Sequence, residues 1–328
     1  MRILVTGGAG YVGSHVVRCL LSAGHTVVVV DNLSTGHREA VAGALLEVAD
    51  FADRNTLARL GEAEPFGAVI HLAAHALVGE SVAEPARYYR NNLIRSLEFL
   101  EWVRQAGWGG IVFSSSAAVY GEPETLPISE DHPVRPRNPY GETKLGFERA
   151  LAAYQAAYGL PYVSLRYFNA AGADPGGELG EDRGRGETHL IPRLLEAALD
   201  PERTVEIYGT DYPTSDGTAV RDYVHVSDLA GAHVQALNRL AERASGIYNL
   251  GNGEGFSVRE VVSICLEVSR RPIRTRECGR RPGDPAILVA SSAKAREELS
   301  WAPRFSSLRG IVKSAWAWRE SHPRGYAT

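Results

Sequence analysis

A short apolar run at residues 3–6 leads directly into Thr6-Gly7-Gly8-Ala9-Gly10-Tyr11-Val12-Gly13. The segment reads as G-x-G-x-x-G from Gly8 and as G-x-x-G-x-x-G from Gly7. Glycine permits the tight turn and lets backbone N–H groups approach a pyrophosphate. A helix starting at such a turn adds a favourable dipole for that negative charge. A Gly-rich turn alone is a weak signal. The strand before it and the helix pattern at 11–22 after it make it a dinucleotide-binding signal, with Gly7, Gly10, Tyr11, Val12 and Gly13 as expected contacts.

Gly24 closes the first helix, and 26–30 reads as a second strand ending at Asp31. An acid there can bond the adenosine ribose hydroxyls and repels a 2′-phosphate, which favours NAD over NADP. The plainer reading is an Asp that caps a turn. Asp50 and Phe51 end another strand-like stretch and are placed beside the adenine. Further strands are expected at 68–71, 110–114 and 162–167. Their apolar runs lack alternation, as in a parallel sheet covered on both faces. Alternating strands and helices imply an α/β fold with a doubly wound parallel sheet.

One helix is expected over 85–106, with Leu93, Leu97 and Leu100 on one face. Another opens at Asn138-Pro139, a suitable cap followed by a suitable first residue, and closes at Tyr158-Gly159. The stretch 172–186 is rich in Gly, Asp and Glu and reads as loop, as does 279–285. Helices are expected at 258–268 and 308–319. The chain divides into a cofactor domain at 1–170 and a smaller substrate lobe at 171–328, with 224–237 returning to the first domain.

Composition removes several classes. Hydrophobic residues make up 44% of 328, enough for a large core. With 35 basic and 39 acidic residues the net charge is −4, so nothing favours nucleic acid. Cys19, Cys265 and Cys278 show no C-x-x-C spacing, so neither a disulfide framework nor a zinc knuckle is indicated. No signal peptide is visible and no apolar run approaches the ~20 residues of a membrane span, so a cytoplasmic protein is expected. His71 and His75 lack the Glu of H-E-x-x-H, and no metal site is expected. Trp301, Trp316 and Trp318 read as packing residues.

The chemistry-bearing pattern is Tyr140-Gly141-Glu142-Thr143-Lys144, Y-x-x-x-K, whose ends share a helix face. A phenol titrates near ~10, but a neighbouring ammonium and a positive nicotinamide favour phenolate. Tyr140 would then be a general base near neutrality. Taken alone, the pair reads as two surface residues at helical spacing. Ser114, Ser115 and Ser116 follow the strand at 110–113. Ser116 is assigned the role of bonding the substrate hydroxyl, and Ser114 and Ser115 that of satisfying backbone groups at the strand end.

The Gly turn, Ser116, Tyr140 and Lys144 occur in the order and spacing of the extended short-chain dehydrogenase/reductase family. The segments HLAAHALVGES (71–81), YYRNN (88–92), SSSAAVYG (114–121), PYGETK (139–144), RYFNAAGA (166–173), DYPTSDGTAVRDYVHVSDLA (211–230) and RRPGD (280–284) resemble its UDP-glucose 4-epimerases over nearly the whole chain. The resemblance implies a Rossmann-type cofactor domain and NAD-dependent inversion at C4 of a UDP-hexose through a 4-keto sugar. It adds Asn32, Leu72, Ala73, Asn91, Ser114 and Tyr167 to the cofactor side. It adds Phe168, Asn169, His189, Leu190, Arg221, Arg281, Asp284 and Leu288 to the substrate side. Arg221 and Arg281 would clamp the diphosphate and Asp284 the uridine ribose. For Arg221 the plainer reading is a salt bridge with Asp222, and for Arg281 a solvated charge. A homodimer is implied, its helices 85–106 and 139–158 pairing across a two-fold axis. Relatives that eliminate or decarboxylate carry an acid where this chain has Ala118, which disfavours those reactions. Epimerisation of UDP-N-acetylglucosamine, UDP-xylose or UDP-glucuronate stays open, as does a non-catalytic NAD-binding regulator.

Overall fold

The computed structural model describes residues 1–182, 187–281 and 283–326. The first half alternates β1 (Arg2–Thr6), α1 (Tyr11–Ser22), β2 (Thr26–Asp31), β3 (Leu45–Val48), α2 (Arg54–Ala63), β4 (Ala68–His71), α3 (Val78–Ala83), α4 (Pro85–Tyr88), α5 (Ser96–Gln105), β5 (Ile111–Ser116), α6 (Pro139–Tyr158) and β6 (Tyr162–Tyr167). The second half contains β7 (Asn169–Ala171), α7 (Leu190–Leu199), β8 (Thr204–Tyr208), β9 (Val220–His225), α8 (Val226–Ala241), β10 (Gly246–Leu250), β11 (Gly255–Ser257), α9 (Val258–Ser269), β12 (Arg274–Cys278), β13 (Ile287–Leu288), α10 (Ala293–Glu298) and α11 (Leu308–Ser321).

Seven parallel strands form the main sheet in the order β10-β6-β5-β4-β1-β2-β3. It is an α/β, Rossmann-type doubly wound sheet. Strand order reverses between β1 and β4, and ligands of such sheets bind at that crevice. The unbroken apolar strands follow from burial on both faces. Ile3, Val5, Val27 and Val29 pack with α1 and α8, whereas Leu4, Val28 and Val30 pack with α2, α5 and α6. A four-stranded sheet, β11-β9-β13 with β7 also on β9, and the pair β12-β8 are separate from the main sheet. A further apolar cluster gathers Leu194, Leu195, Val261, Ile311 and Val312 from α7, α9 and α11. The segment 224–237 falls largely in α8, whose Leu229, Ala236 and Leu237 share the apolar cluster of β1 and β2. The sequence reading did not foresee that 246–250 also joins the main sheet, beside β6.

Local chemistry explains the helix ends. Asn138 Oδ1 accepts the N–H of Gly141 at 2.9 Å, and Pro139 occupies the first helical position of α6. Gly159, at φ 67°, ends that helix in the left-handed region. The single helix expected over 85–106 is interrupted. Residues Tyr89–Arg95 form a π-helical segment between α4 and α5. Its wider turns shift the phase, so Asn92 and Ser96 take inward positions while Leu93 and Leu97 are only partly covered. Asn92 repays this by bonding both the N–H and C=O of His75, at 2.9 and 2.8 Å. Trp301, Trp316 and Trp318 are buried. Among the described residues no helix is long and apolar enough to cross a membrane.

The main-sheet core holds two neutral histidines in hydrogen-bonded slots. His71 lies between Thr6 Oγ1 (2.6 Å) and Ser96 Oγ (3.0 Å), and burial pushes its pKa down to about 3. His233 lies between Ser114 Oγ (2.7 Å) and Leu229 O (2.8 Å), pushed down to about 4. The unfolded chain protonates such a histidine near ~6.5 while the folded chain does not, so its contribution is present above that pH and is lost on acidification toward 4. His233→Gln removes this linkage. Its stability deficit against wild type should therefore narrow between pH 6.5 and 4, by up to about 1.4 kcal/mol per unit. Urea unfolding of both proteins across that range checks it; a constant deficit contradicts it.

Candidate active site

The turn between β1 and α1 is held by close backbone packing. Gly7 has φ 72°, and a Cβ on it would lie 2.5 Å from Ala73 N. A Cβ on Gly13 would lie 2.2 Å from Gly7 O. Leu72 N donates to Thr6 O at 3.0 Å, so Leu72 and Ala73 line the turn from the end of β4. Gly10 caps α1 without a side-chain bond, and no acid stands in the first turn. No acid of the helix's own first turn competes for the dipole at Tyr11, Val12 and Gly13, and the glycines allow a phosphate to approach the backbone. The donor set thus fits a dinucleotide.

Asp31 ends β2, and its carboxylate accepts from Ala9 N (3.0 Å) and Leu33 N (2.8 Å). The capping reading and the ribose reading are compatible here, because a carboxylate accepts about four bonds. Burial raises its pKa, and the two N–H groups oppose that rise. Asn32 caps Ser34 N at 3.0 Å. Asp50 bonds Arg95 at 2.7 Å, while Phe51 is buried with its ring 5.1 Å from that of His71. Asn91 lies in the π-helical segment and donates to Asn92 Oδ1 at 2.8 Å.

Tyr140 and Lys144 lie on the inner face of α6, with 8% and 4% of their surfaces exposed. They are not surface residues at helical spacing. Lys144 Nζ donates to Ser114 O at 2.7 Å and stands 5.8 Å from the centre of the Tyr140 ring. Burial pushes its pKa down from 10.5 to about 7, against the opposing pull of Glu148. Gly141 is pressed onto Ala118, where a Cβ would lie 2.5 Å from the carbonyl oxygen. That contact sets the start of α6 against the end of β5. Ser116 is the last residue of β5, its Oγ accepts from Ala118 N at 3.1 Å, and it is in register with Tyr167. The strand runs two residues beyond the expected end at 114. Ser114 and Ser115 therefore do not serve backbone groups as expected; their hydroxyls bridge to His233 and Glu148.

A cleft of about 440 Å³ is lined by Arg281, Asp284, Arg280, Arg137, Glu122 and Tyr212 among others. Arg221 does not pair with Asp222, as one reading of the sequence had it. Its guanidinium bonds Asp284, and it is in register with Leu288 of β13. Asp222 points inward and accepts from the N–H groups of Asn252, Gly253 and Ala290. Arg281 is exposed, as the plainer reading had it, and its guanidinium lies 3.9 Å over the Tyr208 ring. Arg280, which pairs with Asp211 and stacks on Tyr212, escaped the sequence reading; the doubled arginine at 280–281 was its one signal. Phe168 is buried, its N–H donating to Leu250 O at 3.1 Å, and Asn169 is exposed at the start of β7. His189 and Leu190 are not in the lining of the cleft. His189 Nδ1 is bonded to Glu181 at 2.6 Å, and Leu190 begins α7. Glu181, Glu187 and His189 bring ligand atoms within 4.8 Å of one another, a polar cluster that does not by itself make a metal site.

The Gly13 contact gives a direct test of the turn. Gly13→Ala must displace the turn or the helix, at about 1–3 kcal/mol. NAD binding measured by calorimetry should weaken roughly ten- to hundredfold. Unchanged affinity would remove the turn from the cofactor site.

The sequence profile of the NAD dependent epimerase/dehydratase family matches residues 3–251. A UDP-glucose 4-epimerase of Halalkalibacterium halodurans is 50% identical over 100% of this chain and 98% of its own. One from Corynebacterium glutamicum is 50% identical over 97% and 95%. The crystal structure of UDP-glucose 4-epimerase from Bifidobacterium longum in complex with NAD+ and UDP superposes with a TM-score of 0.94, at 38% identity and 99% and 100% coverage. With 249 contiguous residues under the family profile and full-length relatives at half identity, the chain belongs to the NAD dependent epimerase/dehydratase family.

Proposed function

We propose that this protein is an NAD-dependent 4-epimerase that interconverts UDP-galactose and UDP-glucose through a 4-keto intermediate. The observation that carries the reading is the buried face of α6. It holds Tyr140 beside a lysine whose Nζ is anchored to the strand that ends at Ser116. A non-catalytic regulator has no use for a buried ammonium beside a phenol, since burying a charge is costly.

Gly7, Gly10, Gly13 and Asp31 would hold the dinucleotide, and Lys144 its nicotinamide ribose. When bound, the nicotinamide supplies a reversible hydride acceptor at the sugar C4. Ser116 aligns the 4-hydroxyl. Tyr140 removes its proton, with the Lys144 ammonium stabilising the phenolate. Arg221, Arg281 and Asp284 grip the nucleotide while the keto sugar turns. Guanidinium forks suit the diphosphate. Arg221 arrives already tied to Asp284, so phosphate and ribose contacts would be made by one prearranged pair. Tyr140 would then return its proton to the 4-oxygen as C4 regains its hydride on the opposite face, which inverts C4. Ala118 offers no acid for elimination beside Ser116, which supports epimerisation over dehydration.

We also infer a homodimer. Val78, Val82, Tyr89 and Ile94 are 44%, 60%, 38% and 53% exposed along successive helical segments, a patch that a second copy would cover. Ile94→Arg should shift the sedimenting species toward monomer. The three cysteines are free, which supports a reducing, cytosolic setting.

Purified protein mixed with UDP-galactose, without added NAD, should produce UDP-glucose by NMR. Inversion that requires added NAD means weaker cofactor retention. Tyr140→Phe should lower turnover by about a hundredfold or more while NAD and UDP still bind. Near-normal turnover would sink the assignment.

A further inference from the structure

Tyr140, Lys144 and Glu148 stand at four-residue steps on α6, and Glu148 is the most deeply buried, 2% exposed. Its carboxylate accepts Ser115 Oγ at 2.6 Å. It also accepts a fork from Arg166, with Nε to Oε1 at 2.9 Å and Nη2 to Oε2 at 2.6 Å. Ser115 and Arg166 are cross-strand partners on β5 and β6, and Arg166 is in register with Asn249 on β10. The row continues through Tyr120, which accepts from Arg166 Nη1 at 2.9 Å and donates to Asn249 Oδ1 at 2.7 Å. Asn249 in turn donates to Ile128 O at 2.9 Å. One row of side chains thus crosses three strands beneath α6.

This row touches the reaction machinery at two points. Ser115 lies between Ser114, whose carbonyl holds Lys144, and Ser116. Arg166 is a permanent cation, 4% exposed, and Glu148 is the anion that balances it. Removing one member of such a pair leaves an uncompensated buried charge, whereas removing both does not.

We propose that Glu148 is a positioning residue for the proton transfer: it balances the buried Arg166 charge beneath α6, places a negative charge one helical turn from Lys144, and ties the strand carrying Ser116 to the helix carrying Tyr140. This rests on the reading of Tyr140 as base and Lys144 as its ammonium partner. Among the described residues the following groups surround Lys144. Glu148 and Tyr140 share its helix. The neutral His71 faces it from β4, Phe113 and the Ser114 carbonyl from β5, and His233 of α8 stands behind Ser114. Arg166 of β6 stands behind Glu148, and Tyr88 of α4 packs on Tyr140. Within this set Glu148 is the negative charge that favours the ammonium form.

The test is kcat/KM for UDP-galactose against pH, in the cofactor-loaded enzyme. Glu148→Gln should draw the basic limb, where Lys144 loses its proton, to lower pH by roughly one unit. Glu148→Asp, which keeps the charge, should hold the limb near its wild-type position. The double variant Glu148→Gln, Arg166→Gln removes the uncompensated cation as well and should bring the limb part of the way back. If Glu148→Gln does not fold, Arg166→Gln leaves the opposite charge, and its limb should move to higher pH. An unmoved limb in a folded single variant overturns the proposal, as does a double variant displaced like Glu148→Gln. Wild-type inversion together with an inactive Tyr140→Phe secures the underlying reading, so a limb that fails to move then counts against Glu148 alone.

Discussion

Lys144 is an ammonium-bearing side chain in the core, and much of the surrounding structure compensates for that placement. Its pKa is pushed down to about 7 by burial. A charge in such a place is tolerated only with partners. The Ser114 carbonyl supplies a hydrogen bond, the Phe113 ring lies 4.7 Å away, and Glu148 supplies the opposing charge one turn on. Each partner comes from an element fixed by something else. Strand β5 lies inside a seven-stranded sheet, between β6 and β4, and α6 is pinned at both ends, by Asn138 and by Gly159. The neighbouring His71 is kept neutral, so it adds no positive charge beside Lys144. The chemistry proposed for Tyr140 inherits its electrostatics from this arrangement.

What could be read from the sequence was local. The Gly turn, Asp31 at the end of β2, and the Tyr140/Lys144 spacing lie within short stretches whose geometry is dictated by backbone sterics and helical period. Strand positions were legible for the same reason, since burial on both faces removes alternation. The partner of Arg221 was not legible, because Asp284 lies 63 residues away and Asp222 lies next door. Backbone direction decides the matter: successive strand residues point to opposite faces, so Arg221 and Asp222 cannot share one. The same holds for Ser115, Glu148, Arg166 and Asn249, four residues from four elements that meet only once the sheet is registered. The interruption of the helix at Tyr89–Arg95 escaped because a widened turn has no strong residue signature.

The surroundings of His189 and Arg221 differ instructively. Both residues were singled out by resemblance to relatives rather than by spacing. Arg221 lies on β9 and is bonded to Asp284, which lines the cleft. His189 instead turns toward Glu181, in a stretch where carboxylates outnumber cations. Where a residue sits on a registered strand, its surroundings follow from the sheet. Where it precedes a helix after an acidic loop, the nearest charge decides.

The main sheet is not finished when the cofactor half of the chain ends. Its seventh strand, β10, is Gly246–Leu250, and α8, which covers one face, is Val226–Ala241. Both arrive after β7, α7, β8 and β9, which lie outside that sheet. A nascent chain stopped near residue 170 would present β6 as an open edge and leave apolar positions on the α8 side uncovered. The two halves are therefore interleaved in order of synthesis, and neither can reach its final form before about three quarters of the polypeptide has left the ribosome.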